Sequence, residues 1–175
     1  MFKKPLKIPS RWVLIVVTLL ILSILATRQS IHLLLIEDVR RERPVFAARI
    51  KPGDQISMGF LHSVENCHVW DHLTVDAQYE LVVVSTDFSE SRTGLPYAAF
   101  EGEIFERWKD GFRISNMNRP VPEIYQWVDA KYENTMTLND DKVISLASLA
   151  GNTLLHVHVS RVNLPEWILI KARLF

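Results

Sequence analysis

Sixteen consecutive uncharged residues, Trp12–Thr27 (WVLIVVTLLILSILAT), lie between Arg11 and Arg28 and constrain this chain more than any other feature. A helix apolar on every face has no place on the surface of a soluble domain. At about 1.5 Å per residue the run covers roughly 24 Å, somewhat less than the ~30 Å hydrocarbon core of a bilayer. The two flanking arginines make up the difference by snorkelling. Lys3, Lys4, Lys7 and Arg11 precede the run, and a basic N-terminal flank stays in the cytoplasm. Residues 1–28 are therefore expected to form a cytoplasmic tip and a transmembrane signal anchor embedded in the lipid bilayer through Trp12–Thr27. Residues 29–175 are expected to form one exported domain. A cleaved signal peptide is one alternative, but Ile24-Leu25-Ala26 fits a small-residue cleavage site poorly and Arg28 follows it closely. A buried helix of a soluble protein is the other, opposed by the all-round apolar character and the basic flank.

The chain carries 20 basic and 20 acidic residues, and this balance hides an asymmetry. All five charges in residues 1–28 are positive, leaving 15 basic residues against 20 acids in the exported part, about −5. An acidic body without a basic run argues against nucleic acid as a partner, because phosphate binding needs clustered Lys and Arg. Cys67 is the single cysteine, so no intrachain disulfide exists and the core alone must hold the fold. It reads as a small polar residue in a turn, without a redox role.

Beyond Arg28, short runs rich in Val, Ile, Thr and aromatics are punctuated by Pro52-Gly53-Asp54, Lys109-Asp110-Gly111 and Asn139-Asp140-Asp141. They predict strands over residues 31–37, 45–50, 55–64, 69–76, 80–86, 102–108, 112–115, 124–128, 135–138, 143–147 and 154–160. Many short strands at close spacing imply an all-β fold, an antiparallel β-sandwich or barrel-like domain, after the N-terminal helix. Trp167–Phe175 reads as either a last strand or a short docked helix. One hairpin can be put in register. Joining residues 55–64 and 69–76 by a four-residue loop pairs Val64 with Val69, His62 with Asp71, Phe60 with Leu73 and Met58 with Val75. His62 and Asp71 then lie opposite each other on a largely apolar face.

His62-Ser63-Val64, the downstream acid Asp71, Gly94-Leu95-Pro96 and Glu101-Gly102, preceded by Pro52-Gly53-Asp54, resemble an uncharacterised bacterial family. Its members are small, membrane-anchored, exported domains of unknown function, with genes often beside TAXI-type TRAP transporters of organic acids. The resemblance spans roughly Ile31 to Ser160. It implies a single-pass protein of the inner (cell) membrane with a periplasmic C-terminal domain. It also implies partners among the TRAP membrane subunits or the solute-binding protein. Arg92-Thr93 stands where the family carries Gly-Ala, and His68 where it carries proline.

His62, Ser63, Asp71, Arg92, Gly94, Leu95, Pro96 and Glu101 are thus the candidate ligand- or partner-binding residues. A carboxylate beside an imidazole on an apolar face either fixes the hairpin register or faces a ligand. Ser63 follows His62 directly and points to the opposite face of a strand, and no Gly-x-Ser-x-Gly elbow is present, so no catalytic residue is assigned. Cys67, His68 and His72 show no convergent spacing. His156 and His158 read as a solvated strand face opposite Leu155, Val157 and Val159, so neither a metal site nor a cofactor is assigned. The expected function is a non-enzymatic accessory of a TAXI-type TRAP system; the alternative is a stand-alone periplasmic small-ligand or metal-binding module.

Overall fold

The computed structural model describes residues 10–63, 66–90, 95–109, 111–141 and 143–174. Lys3, Lys4, Lys7, Val64, Arg92, Thr93, Gly94, Asp110 and Phe175 among the residues named above lie outside them. The order begins with helix α1 (Ser10–Arg28) and strands β1 (Ser30–Asp38), β2 (Arg43–Arg49), β3 (Gln55–Leu61), β4 (His68–Val75) and β5 (Leu81–Phe88). Next come β6 (Ile104–Trp108), β7 (Gly111–Ser115), β8 (Arg119–Pro120), β9 (Glu123–Val128), a 3-10 turn (Ala130–Tyr132) and β10 (Thr135–Leu138). The chain ends with β11 (Ile144–Ser145), α2 (Leu146–Ala150), β12 (Thr153–Asn163) and α3 (Leu164–Arg173).

The strands form two antiparallel sheets. One has the order β2-β1-β12-β9; the other runs β11-β10-β3-β4-β5-β7-β6, with β8 paired to β5. The main core lies between them. Leu34 and Ile36 of β1 and Leu155 and Val157 of β12 meet Ile56, Met58, Leu73, Val75 and Leu81 of the larger sheet. A two-layer all-β sandwich results, as the strand pattern predicts. Val159 is only partly buried but packs on the same core, so the inward-facing set expected of β12 is present. A smaller core of Cys67, Val69, Phe88, Ile114 and Met117 closes one end. Cys67 is therefore a buried apolar residue rather than a polar turn residue, and a thiol packs there as a small hydrophobe.

The expected hairpin register is corrected. In the structure Met58 faces Asp71, Phe60 faces Val69 and Ile56 faces Leu73. The shift is four residues, so every side chain keeps its predicted face while its partner changes. Strand β3 stops at Leu61 and β4 starts at His68, with His62 N–H donating to Cys67 O at 2.8 Å and Asn66 N–H to His62 O at 2.9 Å. Cys67, just before β4, is buried in the small core. The expected strand over residues 143–147 also departs. Ser145 caps a helix by accepting from Ser148 N–H, and the two-residue β11 gives way to α2.

The C-terminal segment is a helix because Asn163 and Glu166 form a capping box, with proline in the first turn and Lys171 and Arg173 in the last. Helix α3 touches α1, β1, β2 and β12, so the segment docks. Ile168 and Leu169 on it remain exposed, as do Val13, Leu14, Val16, Leu19 and Leu20 of α1. Among the described residues no helix is long and apolar enough to cross a membrane. Arg11 and Arg28 confine the uncharged stretch of α1 to sixteen residues.

Candidate functional site

Between the larger sheet and the edge strand β9 lies a cleft of about 530 Å³. Its apolar walls are Met58 and Phe60 of β3, Leu73 of β4, Val83 of β5, Val121 and Ile124. Its polar groups are His62, Ser63, Asp71, Gln126, Tyr132 and Asn134. The volume falls inside the usual range for small-molecule sites, about 300–1,000 Å³, and apolar walls with few polar groups are typical of them. Alternation explains the lining. Met58 and Phe60 share the inward face of β3, and Val69, Asp71 and Leu73 share that of β4.

His62, Ser63 and Asp71 are thus gathered into one cavity, although His62 and Asp71 are not a cross-strand pair. Asp71 faces Met58 on β3 and Thr86 on β5, and Thr86 Oγ1 donates to its Oδ1 at 2.7 Å. Burial pushes the Asp71 carboxyl above its ordinary range, against the opposing pull of the Thr86 hydrogen bond and of His72. A carboxyl held toward its protonated form can donate a hydrogen bond as well as accept one. The family-like loop lies elsewhere. Leu95 packs on the small core, Pro96 and Glu101 are exposed, and none of the three lines the cleft. Arg92 and Gly94 lie outside the described residues.

Two polar clusters bring together residues that the sequence reading had kept apart. On the other face of the larger sheet, Ser57 Oγ and His72 Nδ1 are 2.8 Å apart, and His72 Nε2 lies 3.3 Å from Asp87 Oδ2. Arg113 clamps Asp87 with two donors, Nη2 to Oδ2 at 2.6 Å, and stacks on Trp108 with 3.9 Å to the ring centroid. Burial raises the Asp87 carboxyl, but the hydrogen bonds from Arg113 and His72 outweigh it and hold it below the ordinary range. A serine, an imidazole and a carboxylate in line invite comparison with a hydrolytic triad. Here, however, the arginine occupies both carboxylate oxygens, and Ser57 sits inside a strand rather than at an exposed turn.

The second cluster joins β1, β12 and β9 on the outward face of the smaller sheet. Pairing puts His156 between Glu37 and Tyr125, and His158 between Leu35 and Glu123. His156 Nε2 is 2.9 Å from Glu123 Oε2 and its Nδ1 is 3.9 Å from Glu37 Oε2. The rings of Tyr125 and His156 stack at 4.5 Å, and those of His156 and His158 at 4.2 Å. Burial and the neighbouring His156 lower the pKa of His158. The expectation of a simply solvated strand face is therefore corrected. Both rings are partly buried and His156 is paired with carboxylates, because β1 and β9 flank β12 on either side. The local signal was the His-x-His spacing; nothing local pointed to Glu37. His68 pairs instead with Glu133 at 2.9 Å.

No curated protein and no solved structure matches the chain. One family does, over residues 56–146, just over half of the 175-residue chain. The matched stretch runs from β3 to the start of α2 and contains every residue that lines the cleft. On that match the chain belongs to the family described as Domain of unknown function (DUF1850).

Proposed function

We propose that this protein is a membrane-anchored, non-enzymatic binding protein that takes a small, largely apolar acid into the cleft between its sheets. It does so as an accessory of a TAXI-type TRAP transport system, in the periplasm, held by α1 as a single-pass signal anchor in the inner membrane. The observation that carries the binding reading is the cleft itself, an apolar cavity of about 530 Å³ with Asp71 in its wall. A protonated Asp71 supplies a donor to a ligand carboxylate, and His62 and Ser63 offer further polar contacts. The accessory role rests on the resemblance of the His62-Ser63-Val64 and Gly94-Leu95-Pro96 stretches to transporter-neighbouring proteins. The anchor reading is supported by the exposed apolar side chains of α1, beside which α3 exposes Ile168 and Leu169. An amphipathic helix next to an anchor suits the interfacial layer of a bilayer.

Isothermal titration of the full chain in detergent, with hexanoate and with hexanol, tests the binding. The acid should bind at least tenfold more tightly than the alcohol and tighter at pH 5.5 than at pH 7.5, and Phe60→Asp should abolish binding. Equal affinity for both would refute the acid-binding role of Asp71. Co-purification from membranes tests the accessory role: ligand binding by a protein that brings down no transporter subunit would favour the stand-alone module.

A further inference from the structure

We propose that Glu37, His156 and His158 form a binding site for a divalent transition-metal ion, zinc by its donor set, on the outward face of the smaller sheet. One nitrogen of each ring and one carboxylate oxygen lie within 4.8 Å of one another. Donors around zinc sit about 2.0–2.2 Å from the ion, so side-chain rotation has only to close the group by roughly an ångström. Two neighbouring strands hold the three ligands in place. Glu37 faces His156 across the β1–β12 ladder, and His158 follows two residues later on the same face of β12.

Two further observations favour a metal over a plain ion pair. His158 Nδ1 is buried and has no hydrogen-bond partner among the described residues, and a buried polar atom without a partner calls for a ligand. His156 is also arranged as metal-bound histidines usually are. Glu123 takes its Nε2 at 2.9 Å, which fixes the ring and leaves Nδ1 on the side of Glu37. Two imidazoles and a carboxylate are the donor set of three-ligand zinc sites, whose fourth position is open to water or to another molecule's donor. Glu37 acts here as a ligand and Glu123 as a positioning residue. The site is separate from the cleft, and three of its four residues fall outside the stretch that matches the family.

The test uses the full chain without a histidine tag, solubilised in detergent, stripped with a chelator and titrated with zinc chloride by calorimetry. Cobalt chloride serves as a spectroscopic substitute. One equivalent should bind with micromolar affinity or better, and cobalt should show the visible bands of a four-coordinate ion. His156→Ala, His158→Ala and Glu37→Gln should each weaken zinc at least tenfold. Glu123→Gln should weaken it less, and His68→Ala should leave it unchanged. Glu37→Gln preserves side-chain size, so its effect is read on a protein whose melting curve matches the parent. Absence of saturable zinc binding below about 100-fold excess would overturn the proposal, as would binding that survives Glu37→Gln and His158→Ala in folded protein.

Discussion

Asp38 is fully buried at the end of β1, and its removal is the sharpest stability experiment the structure offers. Three donors converge on Oδ1: the N–H of Arg40 at 3.0 Å, the N–H of Arg41 at 3.1 Å and the Thr153 hydroxyl at 2.9 Å. Among the described residues Oδ2 receives only Arg41 Nη1, at 2.7 Å, from a side chain that is about half exposed. The carboxylate thus joins the β1–β2 turn to the start of β12. In Asp38→Ala the buried Thr153 hydroxyl loses its acceptor, which costs about 1–3 kcal/mol, and two turn amides lose theirs at about 0.5–1.5 kcal/mol each. Arg41 is rehydrated and adds little. The total is about 3–4 kcal/mol, or roughly 10 °C in melting temperature for a domain of this size.

Asp38→Asn separates acceptor from charge. Its amide oxygen can take all three donors at the Oδ1 position, while its NH2 group meets Arg41, so the loss should be only about 1 kcal/mol. Thermal unfolding followed by circular dichroism, at one pH and one detergent concentration, measures both. If Asn destabilises as much as Ala, the charge and not the shared acceptor holds the corner, and the hydrogen-bond reasoning is wrong. An Ala variant that melts within about 2 °C of the parent would refute it more completely.

Asp71→Asn should act in the opposite direction. Its folded pKa is raised by burial, so the ionised carboxyl costs stability at neutral pH, and that cost disappears as pH falls through the folded value toward the unfolded value of about 4. The Asn variant should therefore melt higher than the parent at pH 7.5 and at the same temperature near pH 4. A lower melting temperature at pH 7.5 would contradict the raised pKa. Gly59 lies under Trp70 across the β3–β4 ladder, and an added Cβ would come within 2.4 Å of the indole ring. Gly59→Ala should cost about 1–3 kcal/mol and red-shift the tryptophan emission as the ring is displaced, which fluorescence-monitored urea unfolding checks.

Local chemistry carried much of this fold. The Pro52-Gly53-Asp54 turn signal was sound because Gly53 adopts φ +90, a conformation glycine reaches without strain. The inward face of the β3–β4 hairpin was also legible, since period-two alternation fixes which side chains share a side. It cannot separate registers that differ by an even number of residues, so the four-residue shift left every face intact and changed every partner. The loop that sets the register also buries Cys67, a tertiary contact without a mark in the local pattern. The outward cluster was hidden for a related reason. Strands β1 and β12 lie at opposite ends of the β-rich part of the chain, and nothing in either states that Glu37 will face His156. The cleft was half visible: His62, Ser63 and Asp71 were picked out, while the β9 wall was not.

The smaller sheet gives the two proposed sites a common geometry. Helix α1 ends at Arg28, β1 starts at Ser30, and Ser30 is paired with Asn163, the residue that caps α3. Both helices therefore leave from one end of the β1–β12 ladder. Glu37 and His156 lie seven residues further along β1, roughly 23 Å from that end at ~3.3 Å per residue. Strand β9 pairs only with the far part of β12, Thr153 to His158, and so carries the cleft wall to the same distant end. On the anchored reading, a cleft or metal site meant to take its cargo from the lipid would lie beside α1. These sites are instead carried to the far end of the β1–β12 ladder, away from where both helices leave it. If the proposed anchoring holds, that placement fits hand-over between proteins better than extraction from the bilayer.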